Sequence, residues 1–118
     1  MTNIKMLEQA LPAAPLKIAA LKSCESLGKK VNDHIVGFRK ESLNKYVDSA
    51  LFASYKCENY LIEHSCPRFG SGEAKGVLGE SIRGKDLFVM VDVCNYSLTY
   101  TVNGHLNHMS PDDHYQDL

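Results

Sequence analysis

The sequence lacks the features that mark membrane proteins and nucleic-acid-binding modules. Its longest apolar run covers only residues 87–91, whereas a helix needs about 20 apolar residues to cross a bilayer. No charge of one sign dominates, because 13 Lys and Arg face 14 Asp and Glu and leave a formal net charge of −1. A generic nucleic-acid-binding domain needs a basic field, so this balance argues against one. We therefore expect neither a membrane nor a nucleic acid among the partners.

Cysteine pairs of the CxxC kind are also absent. The four cysteines are Cys24, Cys57, Cys66 and Cys94, and their spacing fits no zinc-binding pattern. The N-terminus lacks a basic start followed by an apolar core, so no signal peptide is predicted. A reducing intracellular compartment is the simplest account of such a chain, and there we expect the thiols to be packed or surface side chains.

The polar bias of a disordered chain is missing as well, because hydrophobic residues make up 44% of the 118 residues. This length fits one domain or part of one. We expect residues 1–15 to form a tail and residues 16–118 to form a partial domain. Near the end, Ser110 can cap a helix that Pro111 opens, yet only five residues follow Asp113. The chain is therefore predicted to be a fragment, incomplete at its C-terminus.

Between the ends, the hydrophobic pattern alternates between strands and helices. Residues 16–21 fit a first strand, and Ser23 is predicted to cap a helix that runs to about Lys40. An apolar stripe recurs along this helix at helical spacing and is expected to face the core. The stripe consists of Leu27, Val31, Ile35 and Phe38. Residues 41–57 favour a second helix.

Four further segments favour extended structure, namely residues 59–66, 73–79, 86–94 and 97–102. The segment 86–94 is apolar on both faces, which predicts a strand buried on both sides. Asn103-Gly104 predicts a turn after the last segment, and a small hairpin there. Because strands interleave with helices, the sequence predicts an α/β fold with a mostly parallel sheet and flanking helices.

The first candidate site is the turn from Phe69 to Glu73. A Gly-Ser-Gly run separates the two residues and would let the backbone approach a ligand closely. An aromatic ring for stacking and a carboxylate acceptor would suit a nucleobase. The run fits neither the GxGxxG pattern of dinucleotide-binding folds nor the GK[ST] ending of a P-loop.

The second candidate site is the stretch from Ser81 to Lys85. It offers a hydroxyl, the planar bidentate donor of Arg83, the flexible backbone of Gly84 and an ammonium group, which together suit a phosphate. The alternative interpretation is an ordinary solvent-facing turn before a strand.

These two stretches resemble a known family. The run Arg68-Phe69-Gly70-Ser71-Gly72-Glu73, followed by Gly79-Glu80-Ser81-Ile82-Arg83-Gly84-Lys85-Asp86 and an apolar strand, is similar to the N-terminal domain of ribose-phosphate pyrophosphokinases. Members carry a Phe-Ser-Asp-Gly-Glu turn and then Glu-Ser-Val-Arg-Gly-Lys-Asp, at the same spacing. The resemblance implies a phosphoribosyltransferase-like domain of a larger two-domain enzyme. It also implies a cytoplasmic homo-oligomer that uses Mg²⁺ and ATP.

The resemblance assigns roles to individual residues. Phe69 and Glu73 match positions that hold the adenine of ATP across a subunit boundary. Ser71 replaces the acid between them, which weakens the implied base contact because a hydroxyl replaces a charged acceptor. Ser81 and Arg83 match an allosteric site for phosphate or a nucleoside diphosphate such as ADP.

The implied reaction transfers the diphosphoryl group of ATP to ribose 5-phosphate. The family's sugar-phosphate loop, an acidic pair followed by a Thr-Gly-Gly-Thr-like run, does not occur in this sequence. No catalytic residue is assigned in this chain, and we expect it to be inactive alone. An alternative is a non-catalytic regulatory relative that binds a nucleotide or phosphate. A third is an α/β fragment that shares only a strand-turn-strand pattern.

Two other side-chain groups offer weaker alternatives. A metal site is one alternative, because three histidines lie close in sequence to Asp112 and Asp113, namely His105, His108 and His114. A loop and a separate helix start are expected to keep these side chains apart, and we assign no metal ligand. Cys66 with His64 would be a nucleophile pair, but no known spacing supports it.

Overall fold

The computed structural model describes residues 13–45 and 50–118, and its centre is a short parallel sheet. Strand β1 (Leu16–Ala20) pairs in parallel with β4 (Asp86–Met90), with Leu16 opposite Asp86 and Ala20 opposite Met90. The other edge of β1 forms a parallel bridge from Ile18 to Leu61. Ile18, Ala19 and Ala20 are among the most buried residues. This arrangement confirms the predicted α/β class with a parallel sheet.

The predicted strand over residues 59–66 is shorter and more irregular than expected. Only β2 (His64–Ser65) is a regular strand there. Just before it, the Ile18 N–H donates to the Tyr60 carbonyl at 2.8 Å, and the Ile62 N–H donates back to the Ile18 carbonyl at 2.9 Å. Tyr60 and Ile62 are buried by this pairing, so the segment still completes the core beside β1.

Helix α1 (Glu25–Lys45) follows a single 3₁₀ turn (Lys22–Cys24) and packs on β1 through a different face from the predicted one. Leu27 and Phe38 of the apolar stripe are 55% and 65% exposed. The buried positions are instead Gly28, which lies against Ala20, and Asn32, whose Oδ1 accepts from the Tyr60 N–H at 2.8 Å. Val31 and Ile35 of the stripe are half-buried, so the prediction is wrong at Leu27 and Phe38. Contact with the sheet is set by close backbone approach and one buried hydrogen bond, and hydrophobic spacing reveals neither.

The start and the end of α1 also differ from the prediction. Ser23 lies inside the 3₁₀ turn, where its hydroxyl accepts from the Asp92 N–H at 2.9 Å and ties the turn to the loop after β4. The helix continues to Lys45, and a second 3₁₀ helix (Ala50–Lys56) replaces the predicted α-helix over 41–57. Residues 46–49 of that segment, and residues 1–12 of the predicted tail, lie outside the described residues.

Strand β4 is shorter and more exposed than its apolar sequence predicts. It ends at Met90, and Phe88 and Val89 are 55% and 41% exposed. Within the described residues, β4 pairs with β1 only. The prediction of a strand over 86–94 buried on both faces is therefore wrong for this chain as it stands.

Two antiparallel hairpins accompany the parallel sheet. In the first, β2 pairs with β3 (Val77–Leu78). In the second, β5 (Thr99–Val102) pairs with β6 (His105–His108) across Asn103 and Gly104, which have φ of 50° and 79°. Positive φ at both central residues is what the short hairpin turn requires, and it confirms the predicted turn.

The last element is helix α2 (Pro111–Asp117), which begins where the sequence predicts. The Ser110 hydroxyl accepts from the Asp113 N–H at 3.3 Å, and the Asp113 carboxylate accepts from the Ser110 N–H at 2.9 Å. This reciprocal capping box satisfies backbone donors at the helix start. Across the two described segments, none of the helices combines the length and the apolar character needed to span a bilayer.

Candidate functional site

The predicted base-binding residues lie together on the turn that follows β2. The Phe69 N–H donates to the Glu73 carbonyl at 2.8 Å, and the Gly72 N–H donates to the Phe69 carbonyl at 2.9 Å. Gly72 has a φ of +90°, which a residue with a side chain rarely adopts. These constraints hold Phe69 and Glu73 side by side at the base of the turn, with Ser71 at its tip.

The side chains of this turn face solvent. Phe69 is 49% exposed, and Ser71 and Glu73 are also exposed. An aromatic face beside a carboxylate can stack on a planar base and accept a hydrogen bond from its amino group. The chemistry of the turn therefore fits the predicted ligand, and the roles of the three residues stay predictions.

Arg68, which the sequence analysis did not single out, fixes this turn to the rest of the chain. Its Nη1 donates to the Gly72 carbonyl at 3.1 Å, and its Nη2 donates to the Asp117 carboxylate at 2.9 Å. The side chain is only 8% exposed. A signal was present in the sequence, because Asp113 and Asp117 lie four residues apart and face the same side of a helix.

The pKa values of the two carboxylates around Arg68 are shifted in opposite directions. Burial tends to raise the pKa of Asp113, but hydrogen bonds from Ser110 and Tyr100, together with the Arg68 charge, outweigh it and the pKa lies below its ordinary value. Burial raises the pKa of Asp117 above its ordinary value in spite of the closer Arg68 contact. Asp113 is therefore the more firmly ionised partner.

The predicted phosphate-binding residues occupy the loop between β3 and β4. The Ser81 hydroxyl accepts from the Arg83 N–H at 3.3 Å, and Gly84 has a φ of +72° that allows the loop to turn back toward the strand. Ser81 and Arg83 are exposed. Among residues 13–45 and 50–118, the structure shows no ion pair for Arg83, so its guanidinium is available to an anion.

Lys85 is less available to a phosphate than its place in the motif predicts, because an acidic side chain already binds it. Its Nζ donates to the Glu80 carboxylate at 3.0 Å, and the Nζ of Lys17 lies 3.6 Å from the same oxygen. The hydrogen bond from Lys85, supported by the charges of Lys17 and Lys85, outweighs the opposing effect of desolvation and lowers the pKa of Glu80. Ser81 and Arg83 are therefore the better phosphate donors of this loop.

The two predicted sites are separated within one chain. The β2–β3 ladder, with Ser65 opposite Val77 and His64 opposite Leu78, lies between the turn at 69–73 and the loop at 79–85. Gly79 closes the base of this hairpin by donating its N–H to the Glu63 carbonyl at 2.7 Å. The hairpin therefore presents one candidate site at each end.

A cavity of about 380 Å³ lies at the carboxyl ends of β1 and β4, and sequence reasoning did not predict it. Leu21 and Val91 follow the two strands and line it, together with His64, Cys66 and Arg68 from the β2–β3 hairpin. The His64 Nε2 lies 2.6 Å from the Ala20 carbonyl and must carry a proton to bond it. Pockets at this edge of a parallel sheet are common ligand sites in α/β folds.

The structure gives no support to a nucleophile pair in this cavity. The Cys66 thiol contacts the Asp117 carbonyl at 4.0 Å, and burial raises the pKa of the thiol, followed by a smaller effect of Asp117. A reactive cysteine needs the opposite shift. His64 bonds to the Ala20 carbonyl through Nε2, and among the described residues the structure shows no hydrogen bond between His64 and Cys66.

The histidines near the C-terminus are dispersed over separate environments. His114 is 1% exposed and its Nε2 bonds to the Asn95 carbonyl. His108 stacks on Tyr96 with ring centroids 4.5 Å apart. Within the two described segments, no group of three or more His, Cys, Asp and Glu residues is arranged to hold a metal ion.

Comparison with known proteins places these features in a family. Neither a search of curated proteins nor a search of solved structures found a match. A scan against protein-family models found the N-terminal domain of ribose phosphate pyrophosphokinase over residues 16–114 of the 118-residue chain. That span includes the sheet, both hairpins and both candidate sites. The chain therefore belongs to the family of ribose phosphate pyrophosphokinase N-terminal domains.

Proposed function

We propose that this chain is the N-terminal part of a ribose-phosphate pyrophosphokinase, which makes phosphoribosyl pyrophosphate from ATP and ribose 5-phosphate for nucleotide biosynthesis. Family membership supports the assignment. The observation that carries it is the pairing of Phe69 with Glu73 on one constrained turn. A stacking ring and an acceptor in fixed relation are what recognition of an adenine base requires.

The proposed role of the turn is to bind the base of ATP. Phe69 stacks on the adenine face, a contact worth about 1–3 kcal/mol by analogy with other base–aromatic pairs. Glu73 accepts a hydrogen bond from the exocyclic amino group, and Ser71 offers a neutral hydroxyl beside it. A guanine base has a carbonyl at that edge and would meet the Glu73 carboxylate with repulsion.

The loop at the other end of the hairpin is the proposed effector site. The Arg83 guanidinium and the Ser81 hydroxyl bind a phosphate group, either inorganic phosphate or the phosphates of ADP. Other subunits of a homo-oligomer would complete both sites, as the family resemblance implies.

The chemical step is not assigned to residues of this chain. Mg²⁺, when bound with ATP, would neutralise charge on the phosphate oxygens during diphosphoryl transfer. No cluster in residues 13–45 or 50–118 fits a metal ion, so we assign Mg²⁺ no ligand here. We propose that a second domain supplies the sugar-phosphate loop, and that this chain alone forms no phosphoribosyl pyrophosphate.

The proposed organisation and location follow from the same assignment. Residues 1–15 would be a tail and residues 16–118 a partial domain of a two-domain enzyme in the cytoplasm. All four cysteines are free in the structure, as a reducing compartment would require.

A non-catalytic regulatory relative is the second candidate, and two observations favour it. Ser71 stands where the family has an acid, which weakens base binding. The segment from Asn95 to Met109, which forms the β5–β6 hairpin, departs from the Pro-rich linker that the family resemblance implies at this point. Such a protein would bind nucleotide or phosphate and transfer nothing.

Calorimetric titration of the chain with Mg-ATP and Mg-GTP tests the base assignment. We expect ATP to bind more tightly than GTP, and Phe69→Ala to raise the dissociation constant for ATP about tenfold to a hundredfold, the equivalent of the lost stacking. Lys75→Ala is the matched control, because Lys75 is an exposed residue of the same hairpin. Equal affinities of the wild type and Phe69→Ala for ATP would remove the base-binding role.

A further inference from the structure

The Arg68 guanidinium joins two parts of the chain that are distant in sequence. Its Nη1 donates to the Gly72 carbonyl at 3.1 Å and to the Gln116 side-chain oxygen at 3.0 Å. Its Nη2 donates to the Asp113 carbonyl and to the Asp117 carboxylate, each at 2.9 Å. Three of these four acceptors belong to α2, and the fourth is in the turn at 69–73.

The β5–β6 hairpin supplies a further contact. The guanidinium carbon of Arg68 lies 4.7 Å from the centre of the Tyr100 ring, and the Tyr100 hydroxyl donates to the Asp113 carboxylate at 3.1 Å. Stacking on an aromatic face stabilises a cation whose side chain has lost most of its hydration. Arg68 is therefore enclosed by the turn, by α2 and by Tyr100.

The bond to Gly72 acts on the shape of the turn. Gly72 has positive φ, and its carbonyl accepts the hydrogen bond from the side chain of Arg68. Arg68 thus closes the turn from within, while the Phe69 N–H closes it from the strand side by bonding to Glu73. The exposed side chains of Phe69 and Glu73 depend on this backbone for their mutual position.

Direct binding of a phosphate by Arg68 is disfavoured by the same geometry. Both terminal nitrogens already have two acceptors each, and the side chain is 8% exposed. A ligand anion would have to displace the Asp117 carboxylate or a backbone carbonyl. The arrangement is that of a structural clamp.

We propose that Arg68 is the positioning residue of the base-binding turn, and that it couples the nucleotide selectivity of Phe69 and Glu73 to the docking of α2. The identity of the ligand in this inference rests on the proposed function. The role of Arg68 in holding the turn against α2 rests only on the hydrogen bonds given above. When α2 is docked, Phe69 and Glu73 are presented together. When the clamp is removed, the turn loses its fixed shape and the two side chains act independently.

The test compares Arg68→Ala, Arg68→Lys and the control Lys75→Ala in the full 118-residue chain. Amide hydrogen exchange of Phe69 and Gly72, measured by NMR, reports the closure of the turn, and the Ile18 and Ile62 amides report the folded sheet. We expect Arg68→Ala to accelerate exchange at Phe69 and Gly72 at least tenfold without changing the sheet amides. Lysine cannot serve four acceptors in two directions, so Arg68→Lys should give a smaller acceleration in the same sense.

The second readout is the ratio of the dissociation constants for Mg-GTP and Mg-ATP. A positioning role predicts that Arg68→Ala moves this ratio toward one, which a uniform loss of stability would not do. A wild-type chain that shows no preference for ATP would refute the proposed base site, and the exchange data would still decide the role of Arg68.

Unchanged exchange at Phe69 and Gly72 in a folded Arg68→Ala chain would overturn the proposal. If Arg68→Ala loses protection at Ile18 and Ile62 and is therefore unfolded, Arg68→Lys decides the question. Faster exchange confined to the turn in that variant supports the clamp, and unchanged exchange overturns it.

Discussion

Helix α1 contains two glycines whose replacement by alanine should have opposite effects on stability. A Cβ built on Gly28 would lie far inside van der Waals contact with the Cβ of Ala20, and the same Cβ would also touch Leu61. A Cβ built on Gly37 meets nothing within 4 Å, and Gly37 is exposed. Both positions are inside the same helix, so the pair isolates the effect of packing from that of helix propensity.

The expected magnitudes follow from two terms. Alanine is better than glycine in a helix interior by about 1 kcal/mol, and both variants gain this amount. Gly28→Ala also forces α1 away from β1, because Ala20 has no flexible end that could move aside, and such overpacking costs about 1–3 kcal/mol. We therefore expect Gly37→Ala to raise the free energy of unfolding by about 1 kcal/mol and Gly28→Ala to lower it by as much as about 2 kcal/mol.

Urea denaturation followed by circular dichroism measures both changes. In thermal melts followed by the same signal, about 1 kcal/mol corresponds to about 4 °C for a chain of this size, so the melting temperatures of the two variants should differ by roughly 4–12 °C. Stabilisation by Gly28→Ala equal to that by Gly37→Ala would show that α1 does not pack on β1 through Gly28. That result would refute the close approach on which the described core depends.

Three further predictions concern the candidate sites and α2. Ser71→Asp, which introduces the acid found in the family, should tighten Mg-ATP binding several-fold in a calorimetric titration, since a charge-assisted hydrogen bond replaces a neutral one; weaker binding would contradict the position given to Ser71. Arg83→Ala should reduce binding of inorganic phosphate or ADP at least fivefold while the affinity for ATP at the turn changes little; an unchanged phosphate titration would remove Arg83 from the effector site. Asp113→Asn should lower the free energy of unfolding at pH 7 by about 1–3 kcal/mol, because the carboxylate accepts from Ser110 and Tyr100. The pKa of Asp113 in the folded chain lies below its ordinary value of 3.8, so its stabilisation is complete above about pH 5 and is lost as the pH falls through 3.8 and then through the lower folded value. A difference in stability between the wild type and Asp113→Asn that persists undiminished in acid would contradict this cause.

Local features were predictable from the sequence because neighbouring residues determine them. Asn103 and Gly104 tolerate the positive φ of a short hairpin turn, and the structure has that turn. Ser110 and Asp113 are three residues apart, which suffices for a capping box. The adjacency of Phe69 and Glu73 was predictable for the same reason, since both residues belong to one short turn.

Features that depend on distant partners were missed. The face of α1 that packs on the sheet is determined by the contact of Gly28 with Ala20. The apolar side chains of Leu27 and Phe38, which the helical spacing predicted to be buried, are exposed. The partners of Arg68 on α2 lie 45 to 49 residues further along the chain, and a motif centred on Phe69 does not reveal them. Similarly, the apolar sequence of β4 indicates that both faces of the strand could be buried. It does not indicate which segment of the chain would cover each face.

The central claim is tested most directly on the native gene product after purification. Its intact mass is measured, and it is assayed for the formation of phosphoribosyl pyrophosphate from Mg-ATP and ribose 5-phosphate. The 118 residues account for 13.1 kDa. The proposed function predicts a substantially larger product that forms phosphoribosyl pyrophosphate. A product that ends at Leu118, or a larger one that binds nucleotide without transferring the diphosphoryl group, would contradict it and would favour a regulatory relative.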